Sequence, residues 1–150
     1  MAYLSDTNLL LRSVQLSHPM HQVAVGSIAK LLSSGERVCI FPQNVMEFWN
    51  ACTRPATSNG LGLSLAETER QVARLEAVLT LLPDTPAIHV EWRRLVIRHG
   101  VSGVKVFDAR LVAAMRVYEV ESILTFNVDD FKRYPWIRAV LPQEIMDVAT

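Results

Sequence analysis

Apolar residues fall in short continuous runs and in helical stripes, and their alternation predicts most of the elements. Ala2-Tyr3-Leu4-Ser5 reads as a short buried strand, cut off by the polar quartet Ser5 to Asn8. Thr7 to about Arg12 can begin a helix, with Asp6 or Thr7 as its N-cap. After the Ser17-His18-Pro19 loop, Val23, Ile28, Leu31 and Leu32 form an apolar stripe that Gly35 closes. Val38-Cys39-Ile40-Phe41 is a continuous run of strand length. Pro42 breaks it, and Gln43 to about Thr53 reads as a helix with Val45, Phe48, Trp49 and Cys52 facing inward.

Residues 54–63 contain Pro55, Ser58, Asn59, Gly60 and Gly62 and read as a loop. A phosphate cradle would need a preceding strand and a third glycine, so a flexible connector is expected. Ser64 with Glu67 is a capping box. It opens a helix in which Leu65, Val72, Leu75, Leu79 and Leu82 keep helical spacing. Pro83 to Pro86 is a turn, and Ile88, Trp92, Leu95 and Val96 mark a helix closed by Gly100. Val101 to Phe107 reads as a loop, Asp108 to about Tyr118 as a helix, and Ser122-Ile123-Leu124-Thr125 as a third strand. Asn127 to Tyr134 is a polar turn with short helical character held by Phe131. Ala139-Val140-Leu141 is a last strand, and Pro142 begins a terminal helical turn. Strands alternating with helices predict an α/β/α sandwich with a short, mostly parallel sheet.

Composition narrows the function. A chain of 150 residues is one domain, 1–150, able to bury a core without disulfides or metals as staples. No apolar run reaches the roughly 20 residues of a membrane helix, and no secretion signal is visible, so a cytoplasmic protein is expected. Cys39 and Cys52 sit in apolar patterns and read as core residues. Fifteen basic and fifteen acidic residues cancel, which is not the profile of a protein that coats nucleic acid by bulk charge. His18, His21, His89 and His99 have no partners in a zinc pattern. Trp49, Trp92 and Trp136 read as packing residues, Trp136 being the most exposed of them.

Strand-end geometry gathers the informative acids. Parallel sheets bind ligands at the carboxyl ends of their strands. Asp6 directly follows the first strand, and Asn127, Asp129 and Asp130 follow the strand ending at Thr125. Glu47 lies shortly past the end of the second strand. Asp108 opens a crossover helix of roughly 15 Å, which runs antiparallel to the strand it feeds and so starts at the same edge. Leu111, Val112 and Met115 share its helix face, an unexpected setting for a carboxylate without partners. Spacing leaves an N-cap and a site role open for Asp108, and a solvated role open for Glu47.

Four segments together resemble the motifs of a PIN domain, and among PIN domains the VapC-type ribonuclease toxins. They are Leu4-Ser5-Asp6-Thr7-Asn8, Asn44-Val45-Met46-Glu47-Phe48, Val106-Phe107-Asp108-Ala109, and Ile123-Leu124-Thr125-Phe126-Asn127-Val128-Asp129-Asp130-Phe131. Thr53-Arg54-Pro55 followed by Asn59-Gly60-Leu61-Gly62-Leu63 is similar to a connector in one branch of those toxins. The resemblance implies a PIN-like fold and a metal-dependent endoribonuclease using Mg²⁺ (or Mn²⁺). It implies an RNA substrate, a cognate antitoxin covering the acidic groove, and a homodimer.

By the same resemblance Asp6, Glu47, Asp108 and Asp130 are the metal-binding, catalytic acids. Asn127 stands where the family often has an acid, Asp130 takes that part, and Asp129 is expected to be solvated. Whether one or two ions bind stays open. Ser5, Thr7, Asn8 and Asn127 are candidates to orient the acids or a water, and capping stays open for Thr7 and Asn8. Arg54, Lys105 and Arg110 are candidate RNA contacts, with solvated roles open for each.

The chemistry has a physical basis: carboxylate oxygens suit hard cations, and a divalent ion relieves the repulsion of crowded acids. Such an ion activates water and steadies the leaving oxygen of an in-line phosphodiester cleavage. Other readings are a non-toxin PIN nuclease in RNA processing, a catalytically silent PIN-like binding module, and an aspartyl-phosphate phosphatase built on Asp6. The phosphatase would want an aspartate where Asn8 stands.

Overall fold

A computed structural model describes residues 1–148. The strands are β1 (Ala2–Ser5), β2 (Arg37–Ile40), β3 (Thr80–Leu81), β4 (Ser122–Leu124) and β5 (Arg138–Val140). The helices are α1 (Thr7–Val14), α2 (His21–Ser33), α3 (Pro42–Thr53), α4 (Leu65–Val78), α5 (Pro86–Arg98), α6 (Lys105–Val117) and α7 (Pro142–Asp147). All strand pairs are parallel, in the order β3-β2-β1-β4-β5. Among the described residues no helix is long and apolar enough to cross a membrane.

Strand residues alternate between two cores because successive side chains leave opposite faces of a sheet. Leu4, Cys39 and Ile123 turn to one face, where Ile88 and Leu95 of α5 and Leu111, Val112 and Met115 of α6 cover them. Tyr3, Val38, Ile40 and Leu124 turn to the other, where Leu9, Ile28, Phe48, Val72 and Ile145 bring α1, α2, α3, α4 and α7. The result is an α/β/α sandwich. Burial on both faces explains why these strands read as unbroken apolar runs. Both cysteines are buried and free.

Three expectations are corrected. The stripe through Leu79 and Leu82 does not stay helical: α4 ends at Val78, and β3 adds a fifth strand beside β2. Leu79 and Leu82 fill opposite cores, which a strand segment achieves and a continued helix would not. Leu65, counted on that stripe, is largely exposed. Helix α6 begins at Lys105, three residues before the expected start, so Val104 rather than Asp108 occupies its N-cap position. Nothing after Gly103, with φ +65°, resists a helix.

The 54–63 connector is not loose. A 3-10 turn at Ala56–Ser58 and left-handed Asn59 fold it back on the end of α3. Leu61 and Leu63 donate their N–H groups to the Ala51 and Cys52 carbonyls, and Gly62 donates to Arg54. These bonds satisfy helix-end acceptors that would otherwise need water. Gly60 passes so close that a Cβ there would lie 2.0 Å from the Arg54 carbonyl oxygen. Gly60→Ala is therefore expected to destabilise the protein by about 2 kcal/mol, lowering the melting temperature by roughly 4–8 °C in a thermal melt.

Candidate active site

Parallel strands bring β1 and β4 to the same edge. The Asp6 N–H donates to the Leu124 carbonyl at 3.0 Å, and the Thr125 N–H to Val140 at 3.0 Å. Asp6 leaves the sheet as the N-cap of α1, and its Oδ1 accepts from the Thr7 N–H at 2.8 Å. Its Oδ2 accepts from the Thr125 hydroxyl at 2.7 Å, and Thr125 Oγ1 in turn accepts from the Asn127 N–H at 2.9 Å. Asp6 is only 8% exposed.

Glu47 arrives from the second turn of α3. Its Oε1 accepts from the Thr7 hydroxyl at 2.8 Å, and its Oε2 from Gln43 Nε2 at 3.4 Å. Asn44 anchors this contact. Its Oδ1 accepts from the Phe41 N–H at 2.8 Å and its Nδ2 donates to Thr7 Oγ1 at 3.2 Å. Two short relays therefore aim two acids: Asn44 through Thr7 to Glu47, and the Asn127 backbone through Thr125 to Asp6.

Asp108 sits in the first turn of α6, and Asp130 in the 3-10 turn Val128–Phe131 after β4. Asp6, Glu47, Asp108, Asp130 and Asn127 line one pocket of about 260 Å³ together with Thr7, Asn8 and Arg54. A second polar pocket, of about 210 Å³, shares Asn8, Leu11, Ala51 and Arg54 with it. A larger apolar groove between α1, α2 and α4 holds none of these acids.

The remaining sequence candidates divide. Ser5 lies behind the pocket, its hydroxyl donating to the Asp6 main-chain oxygen at 3.4 Å. Arg54 lines the pocket and donates to the Asn59 carbonyl at 2.9 Å. Arg110 reaches Asp84 at 3.3 Å and Gln43 Oε1 at 3.4 Å, and Lys105 pairs with Asp130 at 2.7 Å. Asp129 is 80% exposed and meets Lys132. His99 is partly buried, edge-on to Tyr134 and tilted against Trp136, and Arg116 covers the Trp136 ring at 4.8 Å. Thr125, Asn44 and Gln43 escaped the sequence reading. Their signal was position: Thr125 directly follows β4, and Asn44 and Gln43 stand on the first turn of α3 ahead of Glu47.

Burial raises the pKa of Asp6, and the charges of Glu47 and Asp130 add to it against the bonds from Thr125 and Thr7. Burial, then repulsion from Asp6 and Asp130, pushes Asp108 up to about 6, with Lys105 opposing. The hydrogen bond and charge of Asp130 raise Lys105. No group of three or more His, Cys, Asp or Glu side chains among the described residues is arranged to hold a metal ion as it stands. The acids lean instead on Thr7, Thr125 and Lys105. The all-oxygen donor set and the crowded, partly buried negative charge nevertheless fit a hard divalent cation.

Because folding raises the Asp108 pKa from 3.8 to about 6, the folded chain binds that proton more tightly than the unfolded chain. In metal-free protein the stability then falls as pH rises from about 4 to about 6 and stays lower above it. At pH 7 metal-free Asp108→Asn is expected to exceed wild type by about 1 kcal/mol, allowing for screening at a partly exposed group. The gain should shrink at pH 4, and paired thermal melts measure both.

Comparison with known proteins agrees with this architecture. The PIN domain family profile matches residues 3–137. Solved structures of similar fold include VapBC-1 from nontypeable Haemophilus influenzae, with TM-score 0.69, 15% identity, and 95% of this chain and 99% of that one covered. VapBC2 from Rickettsia felis, bound to a promoter DNA fragment, aligns with TM-score 0.68 and 13% identity over 94% of this chain and 98% of that one. The Sarcin-Ricin loop cleaving toxin VapC20 of Mycobacterium tuberculosis aligns with TM-score 0.65 and 17% identity over 89% and 95%. No curated protein matches the chain in sequence. With the profile spanning nearly the whole chain and four acids meeting at the carboxyl edge of the sheet, this protein belongs to the PIN domain family.

Proposed function

We propose that the protein is a metal-dependent endoribonuclease and the toxin of a toxin–antitoxin pair. The observation that carries the reading is the convergence of Asp6, Glu47, Asp108 and Asp130 on one pocket of a PIN domain. Among the described residues the pocket is lined by no serine, cysteine or histidine. The Thr7 side chain is buried and held between Asn44, which donates to its hydroxyl, and Glu47, which accepts from it. Attack by water on a phosphodiester therefore suits the site better than a side-chain nucleophile. The four acids would hold Mg²⁺ or Mn²⁺, which when bound supplies the positive charge for activating water and steadying the leaving oxygen.

The chain's own residues set the geometry. Thr125 and the Thr7 N–H fix both oxygens of Asp6, and the Thr7 hydroxyl fixes Glu47. Asn127 lines the pocket and would bring it a neutral oxygen or amide donor. Arg54 stands where the acidic pocket meets its neighbour and offers an RNA phosphate a positive partner. The acids make the floor negative, so RNA contact depends on such local cations rather than on net charge.

Three similar folds, named above, are a toxin or toxin–antitoxin complexes, which supports an antitoxin partner for this chain. A homodimer is part of the same proposal, carried by the resemblance to VapC-type toxins, with exposed Val90 and Ile97 on α5 available to an apolar contact.

Purified protein with Mg²⁺ or Mn²⁺ is expected to cleave RNA. Asp6→Asn and Asp108→Asn are each expected to lower the rate by at least about a hundredfold while keeping the helical circular dichroism. Undiminished cleavage by Asp6→Asn would sink the mechanism. Inducing the wild-type chain in a bacterial host should arrest growth, and inducing Asp6→Asn should not.

A further inference from the structure

One cation already stands against the acids. Lys105 opens α6, and its Nζ lies 2.7 Å from Asp130 Oδ1 and 4.0 Å from Asp108 Oδ2. Its charge thus joins two carboxylates carried by different elements, α6 and the turn after β4. The backbone beneath it is pinned. Trp92 Nε1 donates to the Val106 carbonyl at 2.8 Å, and Gln43 Nε2 donates to the Phe107 carbonyl at 2.8 Å. Among the described residues no other nearby cation is ion-paired with these acids: Arg54 donates to the Asn59 carbonyl, Arg110 to Asp84 and to Gln43 Oε1, Lys132 pairs with Asp129, and Arg133 makes no ion pair with them. Among the described residues, Lys105 is the cation ion-paired with the acids of the pocket.

Two-ion phosphodiester cleavage sets two positive centres about 3.5–4 Å apart across shared acids. Lys105 bridges Asp108 and Asp130 much as a second ion would. Its ammonium is a compact charge with three donors, and its tether keeps it local at every ion concentration. It also reduces the negative potential that would draw a second divalent ion to this edge. We propose that Lys105 is the resident second cation of the site. It braces the Asp130–Asp108 edge from outside the pocket, so the four acids together take up one divalent ion rather than two. Lys105 is thus a positioning residue that acts through Asp130 and Asp108. The inference rests on the metal-dependent reading above.

Calorimetric titration of Mn²⁺ into metal-free protein tests it without substrate. Wild type is expected to bind one Mn²⁺ per chain. Lys105→Ala is expected to bind two, the second at least about tenfold tighter than any further binding to wild type. Lys105→Arg, which keeps the charge, should bind one, and Lys105→Ala combined with Asp130→Asn should return to one. Circular dichroism checks that each variant folds, as expected for a half-exposed side chain. A stoichiometry of one in Lys105→Ala, or of two in wild type, overturns the proposal and leaves the metal-dependent reading standing. No Mn²⁺ binding to either protein overturns both.

Discussion

The charge on Asp6, held almost out of water beside three other carboxyls, is the condition that the rest of the structure has to meet. A buried carboxylate among like charges is unfavourable unless donors or a cation offset it. Here the offset comes in parts. The Thr7 N–H and the Thr125 hydroxyl take its two oxygens, and Lys105 answers Asp130 and Asp108. Burial and repulsion still hold the carboxyls of Asp6 and Asp108 above their usual range. The folded chain therefore keeps an uncompensated negative pocket, a cost that makes sense where a divalent ion is taken up.

The fold supplies that pocket by topology. Parallel β1 and β4 end side by side, so Asp6 and the turn holding Asp130 share an edge. Helix α3 leaves the same edge after β2 and carries Glu47, while α6 runs back to β4 and begins there with Lys105 and Asp108. The side chains between them are short and buried. Thr125 and Asn44 are fully buried, and Thr7 nearly so, which fixes their rotamers and passes that order to Asp6 and Glu47.

Much of this was legible in the residues. Strands buried on both faces give plain apolar runs, and strand-end geometry brings Asp6, Glu47, Asp108 and the Asn127–Asp130 turn to one edge. The resemblance to a PIN domain picked Asp130 from that turn and gave Glu47 and Asp108 a site role. What stayed hidden depended on tertiary context. The helical spacing of Leu75, Leu79 and Leu82 fits a helix and a helix-to-strand exit equally well, and only two opposed cores decide for β3. The stiffness of the 54–63 connector comes from its bonds to Ala51, Cys52 and Arg54, partners that composition cannot name. Lys105 read as a possible phosphate contact because it lies beside a site-proximal segment; its ion pair with Asp130, a residue 25 positions away, shows only in three dimensions. Thr125 looked like an ordinary strand-end residue and Asn44 like an ordinary residue of the helix after Pro42, and their bonds to Asp6 and Thr7 likewise show only in the folded chain.

Pocket repulsion and metal uptake are two sides of one claim, and the thermal stability of the protein at pH 7 with and without Mn²⁺ measures them together. An ion that binds only the folded chain stabilises it by about 2.7 kcal/mol at a hundred times its dissociation constant, or roughly 5–10 °C for a chain this size. The account predicts such a rise in wild type and its loss in Asp6→Asn. An unchanged melting temperature in wild type, or an equal rise in Asp6→Asn, would contradict it.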